Sequence, residues 1–175
     1  MLDELISSEQ KEIQVIIFKL GSEEYAIPIH SVQEIILPQK ITRIPKSPEY
    51  VLGFTNLRGT IIPVSDGKIK FNLKKCKRNL EKDKRIMVIE TEKETSGLLV
   101  DGVNEVITLE VKEIEPLPID MEENSDIFWG VGKYQGRLLI LVQPETFMSI
   151  EADIEDIQAN VSKVTDAIKQ AALAV

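Results

Sequence analysis

The sequence predicts a mainly all-β protein: two small five-stranded barrels made by internal duplication, followed by one amphipathic helix. Three observations predict it. Apolar runs of five to seven residues, rich in Val, Ile and Leu, are separated by Gly, Pro, Asn or charged turns. The chain repeats itself in order. From residue 149 the apolar spacing changes from strand-like to helical.

The repeat has two parts. "VQEII" (Val32 to Ile36) falls on "VNEVI" (Val103 to Ile107) at an offset of 71, and the match continues upstream without a gap. "YAIPIHS" (Tyr25 to Ser31) falls on "SGLLVDG" (Ser96 to Gly102), and "VIIF" (Val15 to Phe18) on "IMVI" (Ile86 to Ile89). "GFTNLRGTIIPV" (Gly53 to Val64) matches "GVGKYQGRLLIL" (Gly130 to Leu141) at an offset of 77. Two ungapped matches in one order argue for duplication.

After a tail, 1–14, strands are predicted over 15–20, 25–30, 32–37, 51–57 and 60–65, and again over 86–91, 96–101, 103–108, 128–133 and 136–142. The first copy gives a barrel over 15–73, the second over 86–148, with a basic connection at 74–85; strands can be exchanged between the barrels. Closure would remove exposed strand edges. Pro28 and Pro63 have no N–H for a ladder, so strand ends or edges are expected there. The seam between two thin-cored barrels is expected to form a groove. Over 149–175, Ile154, Ile157, Val161, Val164, Ile168, Ala171 and Val175 mark one helical face, with Ser149 able to cap its start. That helix is expected to pack back on the barrels; the alternatives are that it seats on a partner or stays mobile in isolation.

Charge narrows the function. The 175 residues carry 21 Lys and Arg against 29 Asp and Glu, a net −8. An acidic chain lacks the basic surface that nucleic acid binding needs. Nine basic residues between Lys68 and Arg85 oppose only Glu81 and Asp83, a local +7 that leaves −15 elsewhere. That run reads as a solvated loop or as a patch for an acidic partner. One cysteine, Cys76, cannot form an internal disulfide, which fits a reducing compartment. No apolar run approaches the ~20 residues of a membrane span, and the N-terminus does not resemble a signal peptide. A soluble cytoplasmic protein is expected.

No enzyme is expected, nor any cofactor or metal. The single histidine, His30, lies in an apolar segment without Cys, Asp or Glu at ligand spacing. Cys76 has no base in view, and neither a phosphate-binding glycine loop nor a G-x-S-x-G turn occurs. The duplication serves as a control for what remains. Gly53 and Gly59 recur as Gly130 and Gly136, which the barrel itself therefore requires, and Glu34 recurs as Glu105. Arg58 is replaced by Gln135, and Asn56 by Lys133, so Arg58 belongs to the first copy alone.

The segments "FKLGSEEYAIPIHSVQEII", "IPKSPEYVLGFTNLRGTIIPVSDGKIKF", "GLLVDGVNEVITL" and "WGVGKYQGRLLILV" resemble the CheW family of chemotaxis coupling proteins over about Val15 to Met148. The resemblance implies two SH3-like five-stranded barrels. It also implies a non-catalytic cytoplasmic adaptor that couples chemoreceptor tips to the regulatory domain of the histidine kinase CheA, recruited to receptor arrays at the inner face of the membrane. A related adaptor for another two-component pathway is the alternative. It implies receptor binding by Asn56, Leu57, Arg58 and Gly59, and kinase binding by Val32 and Glu34. Beyond Pro63 the chain departs from the family pattern. Asp66 is kept and Lys68 stands for the usual arginine, but Ser65 and Gly67 replace apolar residues, so a looser strand end is expected.

Overall fold

The protein is described by a computed structural model over residues 2–70, 81–117 and 128–148. Cys76, most of the basic connection and the 149–175 helix fall outside these residues. A short helix, α1 (Leu2–Ser7), precedes β1 (Glu12–Leu20) and β2 (Glu23–Pro28). A 3-10 turn at Ile29–Ser31 leads to β3 (Val32–Ile36), then β4 (Val51–Leu57), β5 (Thr60–Asp66) and the single turn α2 (Gly67–Lys70). The second copy supplies β6 (Arg85–Glu90), β7 (Thr95–Val100), β8 (Gly102–Glu110), β9 (Ile114–Glu115), β10 (Phe128–Tyr134) and β11 (Arg137–Val142), and α3 (Pro144–Met148) follows. His30 sits exposed in the 3-10 turn rather than in a strand, because β2 ends at Pro28.

Two sheets form, and each takes strands from both copies. One has the order β3-β6-β7-β5-β4, the other β8-β1-β2-β11-β10-β9. In duplicate terms the orders correspond, with the first hairpin of each copy exchanged into the other sheet. The barrel holding β3, β4 and β5 is called here the first, that holding β8 to β11 the second. Each nearly closes on itself. β8 runs through a 3-10 turn into β9, which pairs β10. In the first barrel Thr42, beyond β3, exchanges both backbone hydrogen bonds with Phe54 of β4, each 2.8 Å.

The exchanged hairpins explain why their strands are apolar at consecutive positions. A strand with one wet face alternates, whereas one buried on both faces does not. Val15 and Ile17 of β1 line the second barrel with Ala26, Ile107, Leu139 and Leu141. Ile16 and Phe18 face the other way, into a cluster with Leu20, Tyr25, Ile27, Met87, Ile89, Leu98, Val100, Val142 and Met148. That cluster draws on both sheets and occupies the seam. The seam is therefore not the groove expected from the sequence: eleven buried side chains fill it. Burying a large aliphatic or aromatic side chain contributes roughly 1.5–3 kcal/mol, so the two barrels are held as one body.

Pro63 also departs from expectation, since β5 is an inner strand. Its parallel pairing with β7 begins only at Val64, so the missing N–H falls before that ladder starts. The strand end beyond it is tight rather than loose. Ser65 is buried, and a Cβ on Gly67 would lie 2.6 Å from Leu20 Cδ2, so a larger residue here would require Leu20 to shift. Asp66 Oδ1 accepts from the backbone N–H groups of Lys68 and Ile69 and fixes the start of α2. Lys68 in turn reaches Asp101, whose side chain is 3% exposed, with Nζ–Oδ1 at 3.2 Å. Asp101 Oδ2 accepts from Gly21 N–H at 2.7 Å. This carboxylate therefore joins the β1–β2 turn, the β7–β8 crossover and α2.

Candidate functional site

Arg58 and Gly59 form the whole loop between β4 and β5, with φ of 51° and 88°. Positive φ at both central positions marks a type I′ turn, whose twist suits a two-residue hairpin. Gln135 and Gly136 repeat it, with φ of 48° and 75°. A side chain at the first position costs roughly 1–2 kcal/mol relative to an unstrained backbone. Asn56 offsets part of that cost, because its Oδ1 accepts the Gly59 N–H at 2.7 Å. Asn56 is thus committed to holding the turn, and Leu57 flanks it, half-buried.

The turn presents Arg58 to Glu34 of β3. Nη1 donates to Oε1 at 3.0 Å and Nη2 to Oε2 at 2.7 Å, a parallel bidentate pair. The arginine side chain is 78% exposed and the glutamate 19%. A pair this open contributes about 0.2–1 kcal/mol, so stability gives little reason for it. Residues 24 positions apart, assigned by resemblance to two different partners, thus meet in one contact. Val32 does not share it: half-buried, it packs against the seam cluster.

Gln33, Glu34, Leu57, Arg58, Thr60, Ile62 and Thr95 surround a pocket of about 620 Å³ at the mouth of the first barrel. Ile62 is buried and closes the barrel behind it. Gln33, Thr60, Ile62 and Thr95 were not picked out from the sequence.

The second barrel carries the same positions with different side chains. Asn104 stands for Gln33, Glu105 for Glu34, Tyr134 for Leu57, Gln135 for Arg58, Arg137 for Thr60, Leu139 for Ile62 and Glu24 for Thr95. Arg137 Nη2 donates to Glu105 Oε1 at 2.7 Å, and Nη1 donates to Glu24 Oε1 at 3.3 Å. Asn104 donates to Glu24 at 2.9 Å. The hydrogen bond to Glu105 is the largest cause holding the Arg137 pKa above its ordinary value, with the Glu24 charge adding to it against some desolvation. Both barrels therefore pair the same glutamate with an arginine, from the turn in one and from the strand after it in the other. The turn itself does without an arginine in the second copy, where Gln135 precedes the glycine, but the glutamate is still paired, by Arg137 two positions along.

The first mouth thus offers one carboxylate, one exposed guanidinium, two hydroxyls and an amide over an apolar floor. Among the described residues no group of three or more His, Cys, Asp or Glu side chains could hold a metal. No helix among them is long and apolar enough to cross a membrane.

Fold and mouth together define a two-barrel β protein with a polar-rimmed pocket at one barrel end. The CheW-like domain family matches residues 14–152, and the chain belongs to that family. It is 37% identical to the chemotaxis protein CheW of Helicobacter pylori over 139 residues, 79% of this chain and 83% of that one. It is 36% identical to the chemotaxis protein CheW of Klebsiella aerogenes, covering 79% of this chain and 82% of that one. The crystal structure of the scaffolding protein TtCheW from Thermoanaerobacter tengcongensis superposes with a TM-score of 0.72 at 34% identity, over 79% of this chain and 94% of that one.

Proposed function

We propose that the protein is a non-catalytic scaffold of chemotaxis signalling. It couples the cytoplasmic tips of chemoreceptors to the regulatory domain of the histidine kinase CheA, at the inner face of the membrane. The mechanism is geometric: one rigid body holds two partners in a fixed relation. The observation that carries the reading is the Arg58–Glu34 pair, an exposed bidentate contact at a barrel mouth in a chain of the CheW-like family. Arg58 is the receptor contact, carried on a turn that Asn56, Leu57 and Gly59 shape. Glu34 is the kinase contact, and Val32 supports its strand from behind. A guanidinium suits the receptor role, since it keeps its charge and donates in a rigid fork to carboxylates or helix-end carbonyls.

Titration of a receptor signalling fragment and of the CheA regulatory domain against Arg58→Gln and Glu34→Gln tests this. Both variants avoid placing like charges together. Arg58→Gln weakens receptor binding at least about fivefold if the contact is at least partly buried in the complex, and Glu34→Gln does the same to the kinase. Parent-like affinity of both variants for both partners would remove this mouth from the interface.

A further inference from the structure

We propose that the mouth of the first barrel receives an arginine side chain of the kinase regulatory domain, which donates to Glu34 as Arg137 donates to Glu105 within the second barrel. The inference rests on the reading that Glu34 meets the kinase, and it names the chemistry of what Glu34 meets.

The duplication supplies the template. In the second barrel Arg137, on the strand after the turn, bridges Glu105 and Glu24. In the first barrel the positions of Arg137 and Glu24 are held by Thr60 and Thr95, both much smaller, and both line the pocket of about 620 Å³. Its floor, Ile62, is as buried as Leu139. The carboxylate is kept, since Glu34 replaces Glu105. Each mouth therefore pairs its glutamate with an arginine of its own, but the first takes it from the turn, and the strand position that carries Arg137 in the second is Thr60.

The chemistry favours a guanidinium over other occupants. Arg58 uses both oxygens of Glu34, but each carboxylate oxygen accepts a second hydrogen bond. The Thr60 and Thr95 hydroxyls and the Gln33 amide oxygen lie around the same space and make no side-chain hydrogen bond among the described residues. A planar donor with five N–H groups can address Glu34 and these oxygens together, while its aliphatic stem lies on Ile62 and Leu57. A carboxylate entering here would face Glu34, and a purely apolar side chain would leave that carboxylate without its second partners.

The test copies the second mouth into the first. Thr60→Arg in the full chain gives the first barrel the residue that Arg137 supplies in the second. Its melting temperature stays near the parent value, because position 60 is exposed. Its affinity for the CheA regulatory domain falls at least about tenfold. In parallel, n-propylguanidinium and propionate are titrated into the parent protein and followed by backbone amide NMR. Propylguanidinium shifts Gln33, Thr60 and Thr95 saturably, and propionate does not. The parent titration stands even if Thr60→Arg folds poorly. If Glu34→Gln weakens kinase binding while Thr60→Arg leaves it intact, the site is right and arginine insertion is wrong. If neither variant changes kinase binding, the placement of the kinase at this mouth falls as well. Shifts with propionate and none with propylguanidinium would overturn the proposal in favour of a carboxylate drawn to Arg58.

Discussion

Replacing Lys68 by methionine strands the one buried charge among the described residues. Asp101 is almost wholly enclosed, and Lys68, 30% exposed, is its ionic partner at 3.2 Å. Removing one member of a buried ion pair costs about 3–5 kcal/mol, because the survivor stays charged without compensation. Two features reduce that figure here. Gly21 N–H still donates to Oδ2 at 2.7 Å. Lys68 is also partly in water, so its attraction is screened from the start. Lys68→Met should therefore cost about 2 kcal/mol, which for a chain of this size lowers the melting temperature by roughly 4–8 °C. Asp101→Asn removes the charge yet keeps an acceptor for Gly21, and it leaves a lysine that can turn to solvent, at about 1 kcal/mol. Adding Asp101→Asn to Lys68→Met removes the stranded charge, so the double variant should be more stable than Lys68→Met alone. Urea unfolding of the parent, both single variants and the double variant closes the cycle. A Lys68→Met cost under about 0.5 kcal/mol, or a double variant no more stable than Lys68→Met, would show that the carboxylate is not held by this lysine.

Two more outcomes follow from backbone and charge. A Cβ at Gly53, whose φ is 143°, would lie 2.0 Å from the Thr42 carbonyl oxygen that closes the first barrel, so Gly53→Ala should cost at least about 2 kcal/mol while Gly59→Asn, with open space around its Cβ, costs under about 1. Equal melting temperatures for these two variants would contradict that account. Lys112 and Lys133 are raised above the ordinary lysine value of 10.5, chiefly by their hydrogen bonds to Glu110 and Glu115. A raised folded pKa gives stability that is fully present below 10.5 and is lost as pH climbs through the folded value. Lys112→Met/Lys133→Met should therefore lose less stability than the parent between about pH 9 and pH 12, the range around the ordinary lysine value of 10.5, and parallel losses in both proteins would exclude the contribution.

The strands were legible because their apolar runs and turn residues are local signals, and all ten predicted runs became strands with small shifts at their ends. Which strands share a sheet was not legible. The β1–β2 and β6–β7 hairpins carry equivalent patterns, so either can complete either barrel, and only contacts across the chain decide. One clue was available: Val15 to Phe18 and Ile86 to Ile89 do not alternate, which signals burial on both faces and hence a filled seam. Arg58 and Glu34 were singled out by comparing the two copies and given roles by family resemblance, but their contact joins a turn and a strand 24 residues apart and leaves no trace in either motif. Thr60 and Thr95 were missed because small polar residues carry no motif. Reading them against Arg137 and Glu24 in the duplicate would have exposed them, since both twins are large and charged.

A duplicated barrel used as a scaffold faces a difficulty that its own symmetry creates. Two equal mouths would each accept the same partner, and the assembly could then form in two orientations. Specificity requires a difference in affinity between right and wrong seating, and blocking the wrong site is one way to obtain it. At the second mouth Arg137 is engaged in internal ion pairs with Glu24 and Glu105. Thr60 and Thr95 leave the first mouth open over a retained glutamate. The seam fixes the two ends relative to each other, because eleven side chains would have to be exposed to move them. On the proposed reading, differences such as Thr60 against Arg137 and Thr95 against Glu24 give a pseudo-symmetric body a direction.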